Sequence, residues 1–386
     1  MIRMRRSLIL IVLTALALGG CSNLNPLNWF FENKRPKMAE LPELKSAVAI
    51  KALWQANIGS GASMLFSPAM ADGSLFAAAA DGSVIRLDGS SGAQRWRVKL
   101  KEHLSGGVGA NTVLAVVGTS EGVVIALDSD TGAERWKARV SSEVLAAPVV
   151  SGDLVLVRSA DARIFAFDTR DGRRRWVYQR SMPSLTVRTT AGVVVQSNFV
   201  YAGFPGGKLV SIASSNGGSR WEATVSLPKG ATELERVTDV VGLPWVGERE
   251  ICSVAYQGRV ACFDSGNGAQ LWSRELSSTS GLGVDARYVF VSDDRGAVHA
   301  LDRSSGTSVW KQDRLFLRNL TAPIPLGAYV AAGDVQGFVH LFSRENGNIV
   351  GRFATDGSPI SAAPLPITGG FVVQTRNGNI YALSAQ

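Results

Sequence analysis

Eight times along the chain a seven-residue phrase alternates apolar with small or polar side chains. Gly82-Ser-Val-Ile-Arg-Leu-Asp88, Gly122-Val-Val-Ile-Ala-Leu-Asp128 and Ala162-Arg-Ile-Phe-Ala-Phe-Asp168 are the first three, and the phrase returns at Gly207, Gly258, Gly296, Gly337 and Gly378. Period-two alternation marks a strand with two unlike faces. Successive phrases start 40, 40, 45, 51, 38, 41 and 41 residues apart. Short strands repeating at this interval predict a β-propeller, in which each small sheet buries its faces against its neighbours.

Each phrase runs into a turn. In Asp128-Ser-Asp-Thr-Gly132 the aspartate opens the turn, and a glycine four residues later can take the left-handed conformation. Asp88/Gly92, Asp168/Gly172, Asp264/Gly268 and Asp302/Gly306 repeat the pair. Copies four and seven keep Gly217 and Gly347 but carry Ala213 and Ser343 at the aspartate position. Glycine is the stricter requirement, as expected where backbone φ is the constraint.

Four residues after each glycine stands a tryptophan: Trp96, Trp136, Trp176, Trp221, Trp272 and Trp310, with Gly351 in the seventh copy. One large ring per repeat, in one register, predicts packing between neighbouring sheets. The eighth phrase ends the chain at Ser384 with no room for its tryptophan strand. That strand is present at the other end, in Ala52-Leu53-Trp54-Gln55. The expected fold is therefore all-β: an eight-bladed β-propeller of four-stranded antiparallel blades, closed by an N-terminal strand completing the last blade. Closure of this kind removes free edges. Residues 51–386 divided by eight give 42 per blade, enough for four short strands and their turns.

The first 45 residues do not fit the repeat. Arg3, Arg5 and Arg6 precede an apolar run from Leu8 to Leu18, too short to span a bilayer. The run ends in Leu18-Gly19-Gly20-Cys21, which resembles the bacterial lipobox. That resemblance implies a signal peptide over 1–20, a lipidated Cys21, and a tether over 21–45 leading to the propeller at 46–386. Ser22 stands where an aspartate would favour inner-membrane retention, so the resemblance points to the periplasmic face of the outer membrane. Pro26, Pro36 and Pro42 suit a tether, and Trp29-Phe30-Phe31 forms an aromatic cluster within it.

Charge changes this picture little. Loss of three arginines with the leader leaves 37 basic against 32 acidic residues, a net charge of +5. No basic run interleaved with aromatics points to nucleic acid. The three histidines, His103, His299 and His340, form no metal-spaced cluster, and no phosphate loop or Ser/His/Asp arrangement occurs. No cofactor, metal or catalytic residue is expected. Cys252 and Cys262 flank a turn near cross-strand positions, and an oxidising compartment would permit a disulfide. Cys262, however, stands where other repeats carry Ala126, Ala166 and Ala300, and the expectation is two buried thiols.

The Ala-Leu-Asp-x-x-Thr-Gly-x-x-x-Trp pattern resembles the repeats of quinoprotein alcohol dehydrogenases. This chain lacks the adjacent cysteine pair and the large insertions of those enzymes. A propeller binding a small molecule or polymer in its channel is the alternative reading.

The repeat is broken in two places. The interval from Trp176 to Trp221 carries 5 extra residues and that from Trp221 to Trp272 carries 11, relative to 40. Loops added to a rigid scaffold are where function concentrates. The first contains Met182-Pro-Ser-Leu-Thr-Val-Arg188, the second Thr232-Glu-Leu-Glu-Arg-Val-Thr-Asp239. Together with the lipobox and the eight repeats, these stretches resemble the BamB family of lipoproteins from the bacterial outer-membrane β-barrel assembly machine. The resemblance implies a non-enzymatic scaffold that docks through both loops on the POTRA domains of the central barrel subunit, BamA, and acts on nascent outer-membrane proteins. By position it implicates Leu185, Val187, Arg188 and Asp239. It implies that Asp239 pairs with a basic group of the partner or braces Arg188. Val241 stands where the family tends to carry a second aspartate.

Overall fold

Alternation becomes sheet in every repeat. The computed structural model describes residues 36–44, 48–188 and 190–385; Cys21, Ser22 and Trp29-Phe30-Phe31 lie outside them. Eight four-stranded antiparallel sheets follow one another along the chain. In the first blade the strands are Ala69–Ala71, Ser74–Ala78, Ser83–Asp88 and Gln94–Lys99. The repeated phrase is always the third strand, buried on both faces as a blade sandwiched between neighbours requires. The eighth blade takes Leu365–Ile367, Gly370–Gln374 and Asn379–Ala385 from the C-terminus and Ile50–Asn57 from the N-terminus. Ile50 lies opposite Ala385 and Asn57 opposite Asn379. The first and last blades then share one core, in which Leu75, Ala77 and Ile85 pack with Val372, Ile380 and Ala382. The ring is closed.

One interlock joins the blades. Each tryptophan lies on the turn of the next blade and donates its indole N–H to a carbonyl there: Trp54 to Gly89 (3.1 Å), Trp96 to Ser129 (2.8 Å), Trp136 to Thr169 (2.9 Å) and Trp176 to Ser214 (2.7 Å). Trp221, Trp272 and Trp310 continue the series to Ser265, Arg303 and Arg344. Under each ring sits the turn glycine. Gly172 has φ 70°, and a Cβ there would lie 2.5 Å from the Trp136 ring. The glycine is therefore required twice, for backbone conformation and for the neighbouring ring. The same contact explains the missing seventh tryptophan. The eighth blade has no such turn, because its last strand comes from the other terminus, so a ring at position 351 would have nothing to rest on. Val48 instead crosses there, its carbonyl 3.0 Å from where a Gly351 Cβ would stand and its N–H bonded to the Val350 carbonyl at 2.7 Å.

The segment Ala39–Leu44, which the sequence reading assigns to the tether, is bonded to the propeller. Ala39 donates to the Phe316 carbonyl (2.9 Å). Arg318 donates to the Ala39 carbonyl (3.1 Å) and Arg352 to that of Pro42 (2.9 Å). Arg318 and Asp334 are buried and paired at 2.7 Å, and His340 Nε2 lies 2.9 Å from the same carboxylate oxygen.

The expectation of two free thiols is corrected. Cys252 and Cys262 are directly opposite in the fifth blade, with Cα atoms 4.1 Å apart, and form a disulfide. Substitution of alanine by cysteine at a small buried position indicated the packing correctly. The near cross-strand placement read from the turn was also right, and in the structure it is close enough for the bond that the small-site argument had weighed against.

Candidate partner-docking surface

Both added loops leave the outer strand of one blade and enter the inner strand of the next, so they lie on the same face. The first spans 179–192, between Arg174–Tyr178 and Val193–Gln196. The second spans 225–239, between Ser219–Thr224 and Val240–Val246. Not all of the extra length is loop. A bulge between Val241 and Trp245 absorbs Gly242-Leu243-Pro244 and leaves Leu243 exposed.

The second loop is ordered by its own sequence. Glu235 accepts from the N–H groups of Ala231 (2.8 Å) and Thr232 (3.0 Å), while Thr232 Oγ1 accepts from the Glu235 N–H (3.2 Å). This is the reciprocal arrangement of a capping box. The two N–H donors hold the Glu235 carboxyl below its usual range. The turn thrusts Leu234 outward, 72% exposed.

The first loop is pinned to the second from beneath. Asp239 is fully buried; its Oδ2 accepts from the Val187 N–H (2.6 Å) and its Oδ1 from the Gly206 N–H (3.1 Å). Burial raises its carboxyl above the usual range, against the opposing pull of these donors and of the buried Arg158. Burial likewise brings Arg158 down to about 10, so it stays charged at neutral pH. Its guanidinium lies over the Phe204 ring at 4.9 Å. Nearer the surface, Ser184 Oγ donates to Glu233 Oε2 (3.0 Å), joining the loops a second time.

The residues implicated by sequence are thus brought together but divide by role. Leu185 is 43% exposed, and Met182, three residues before it, is also exposed; Arg188 is exposed, and Val187 is half-buried. Asp239 is corrected: it neither faces solvent nor braces Arg188, but holds the Val187 backbone from within. Arg188 is met by Glu143, of the connection between the second and third blades, through Nη2–Oε2 at 2.7 Å and Nε–Oε1 at 3.2 Å. Glu143 was invisible to sequence reading because its connection has ordinary length. Thr232-x-x-Glu235, by contrast, was readable as a capping box.

Elsewhere the structure offers less chemistry. The channel is lined mainly by small and apolar residues at and beside the inner strands, including Met70, Val149, Leu282 and Leu365, with no charged residue among them. Glu250, Cys252 and Cys262 are the potential metal donors grouped among the described residues, and both sulfurs are in the disulfide.

The family model described as outer membrane protein assembly factor BamB matches residues 80–312. The outer membrane protein assembly factor BamB of Bordetella pertussis is 42% identical over 377 residues, covering 97% of this chain and 96% of that protein. The crystal structure of BamB from Moraxella catarrhalis superposes with a TM-score of 0.79 at 28% identity, covering 87% of this chain and all of that one. A quinohemoprotein alcohol dehydrogenase from Pseudomonas putida HK5 shares the fold alone, with a TM-score of 0.70 at 12% identity over 87% of this chain and 76% of that one.

Proposed function

The chain belongs to the family of outer membrane protein assembly factor BamB, and on that premise we propose that it is a non-enzymatic docking subunit of the outer-membrane β-barrel assembly machine. It is held by a lipid on Cys21 at the periplasmic face of the outer membrane. It binds POTRA domains of the central barrel subunit and assists the folding of barrel proteins. The observation that carries this reading is the pair of loops. Met182, Leu185 and Arg188 are exposed on the first loop, whose backbone is fixed by a buried carboxylate, and Leu234 is exposed on the second, which Ser184–Glu233 joins to the first. A surface ordered before binding loses less entropy on association. Arginine is among the residues that most often carry binding energy at interface centres.

The test is co-purification with the barrel subunit from solubilised outer membranes. Arg188→Ala and Leu185→Arg should each weaken binding by about 2 kcal/mol or more, the scale of an interface hot spot. Their melting curves should match wild type, because neither side chain lies in a blade core. Undiminished binding by both variants moves the interface to another face. The anchor is tested by Cys21→Ala, which should abolish palmitate labelling and release the protein from outer membranes.

A further inference from the structure

Arg188 is the charged centre of the exposed loop surface, yet it is already engaged by a carboxylate. The backbones carrying the two side chains are both fixed. Val187 is held by Asp239, and on the other side the Glu143 carbonyl accepts from Ala160 N–H (2.9 Å) while Val144 N–H donates to Thr119 (3.0 Å). The guanidinium is therefore presented in one direction, with both contacts to Glu143 made through Nη2 and Nε. The Arg188 side chain is 60% exposed and the Glu143 side chain 26%. An exposed pair of this kind contributes little and is readily broken on binding. Once freed of Glu143, the Nε–Nη2 edge is a fork of two donors, and the group a protein partner offers to such a fork is a planar carboxylate accepting two parallel bonds.

Resting on the docking function proposed above, we infer that Glu143 is a placeholder: the partner segment presents its own carboxylate, which displaces Glu143 from Arg188. Until then Glu143 neutralises a cation that would otherwise attract unrelated anions. Once a partner carboxylate arrives, Glu143 is a competitor and a like charge beside it. The exchange makes this corner of the surface selective. A partner with apolar contacts for Leu185 and Leu234 but no acid would leave the internal pair intact and gain nothing from Arg188. An acidic ligand without apolar contacts would only trade one exposed pair for another.

The exchange has a sign that a merely supporting role for Glu143 does not. Full-length lipoprotein in detergent is titrated against purified barrel subunit, comparing wild type, Glu143→Gln, Arg188→Ala and the double variant. Glu143→Gln should tighten binding about two- to five-fold, the range set by an exposed ion pair, and steepen its salt dependence. In the Arg188→Ala background the same substitution should change nothing. Unchanged or weaker binding by Glu143→Gln, with an unchanged melting curve, overturns the exchange and makes Glu143 a brace. A gain that persists without Arg188 also overturns it, since simple loss of negative charge then accounts for the effect. Wild type that fails to bind the barrel subunit at all overturns the docking function itself, a result distinct from either.

Discussion

Asp239 satisfies two backbone N–H groups from the first loop and from the hairpin at Gly206, and sits in the field of Arg158. Removing it leaves the Val187 and Gly206 N–H groups without their acceptor and takes the opposing charge away from the buried Arg158, which itself donates to the Gly203 carbonyl; the lost acceptor alone costs about 1–3 kcal/mol. Asp239→Ala should accordingly lower stability, measurable by urea unfolding, and hasten proteolysis within 181–190. Arg188→Ala should do neither. Loss of partner binding by Asp239→Ala would then reflect a loosened loop. The pH dependence has a sign too. A carboxyl raised by burial takes up its proton in the folded state first, so its ionisation takes away part of its contribution as pH rises from the unfolded value of 3.8 through the higher folded value. Asp128 acts oppositely: bonds from Arg135 and Thr131 lower it to about 2. Its contribution is present above 3.8 and is lost as pH falls through about 2.

At the scale of the strand and turn, the tryptophan-on-glycine contact is the unit of cohesion between blades. Trp136→Ala should cost about 3–5 kcal/mol, as large buried-aromatic truncations do, read as a fall in melting temperature. Gly172→Ala places a methyl group against that ring at φ 70° and should destabilise strongly. Part of its cost should disappear in the Trp136→Ala background, because the two groups share one contact. A fully additive pair contradicts the interlock. In the fifth blade, the disulfide closes a ten-residue separation. Chain-entropy arguments assign a loop of that length about 2.5 kcal/mol, so Cys252→Ala/Cys262→Ala should melt lower, to the level of reduced wild type. The blades were readable because alternation, turn glycine and ring each recur eight- or sevenfold, and repetition filters accident. The disulfide was not, because cysteine pairing depends on register, which adjacent spacing only suggests. The buried role of Asp239, and Glu143 altogether, eluded the reading for a related reason: burial and cross-loop partners arise from the packing of connections that have no period.

For the ring as a whole, closure depends on chain from beyond the repeats. The strand Ile50–Asn57 completes the eighth blade, and Ala39–Leu44 with Val48 reach the connection after the sixth blade and the outer strand of the seventh. Deleting 50–57 should expose the edge of Asn379–Ala385 and lower the melting temperature or cause aggregation. The approach segment is held by Arg318 and Arg352, and behind Arg318 lie Asp334 and His340. Burial pushes the His340 imidazole below its usual range, with Arg318 and Arg352 adding to the fall and Asp334 opposing it. The folded ring therefore stays neutral where an unfolded imidazole, near 6.5, takes up a proton. Stability from this group is complete above that value and declines below it, by at most about 1.4 kcal/mol per pH unit. The loss should fall on the cluster that carries Ala39 and Pro42. Lowering the pH from 7.5 to 5 should reduce unfolding free energy in wild type and increase hydrogen exchange at the amides of Ala39 and Val48. His340→Gln keeps an N–H for Asp334 but cannot be protonated, so it should flatten both responses. Identical pH profiles for the two proteins would place the acid sensitivity elsewhere and leave the N-terminal closure independent of His340.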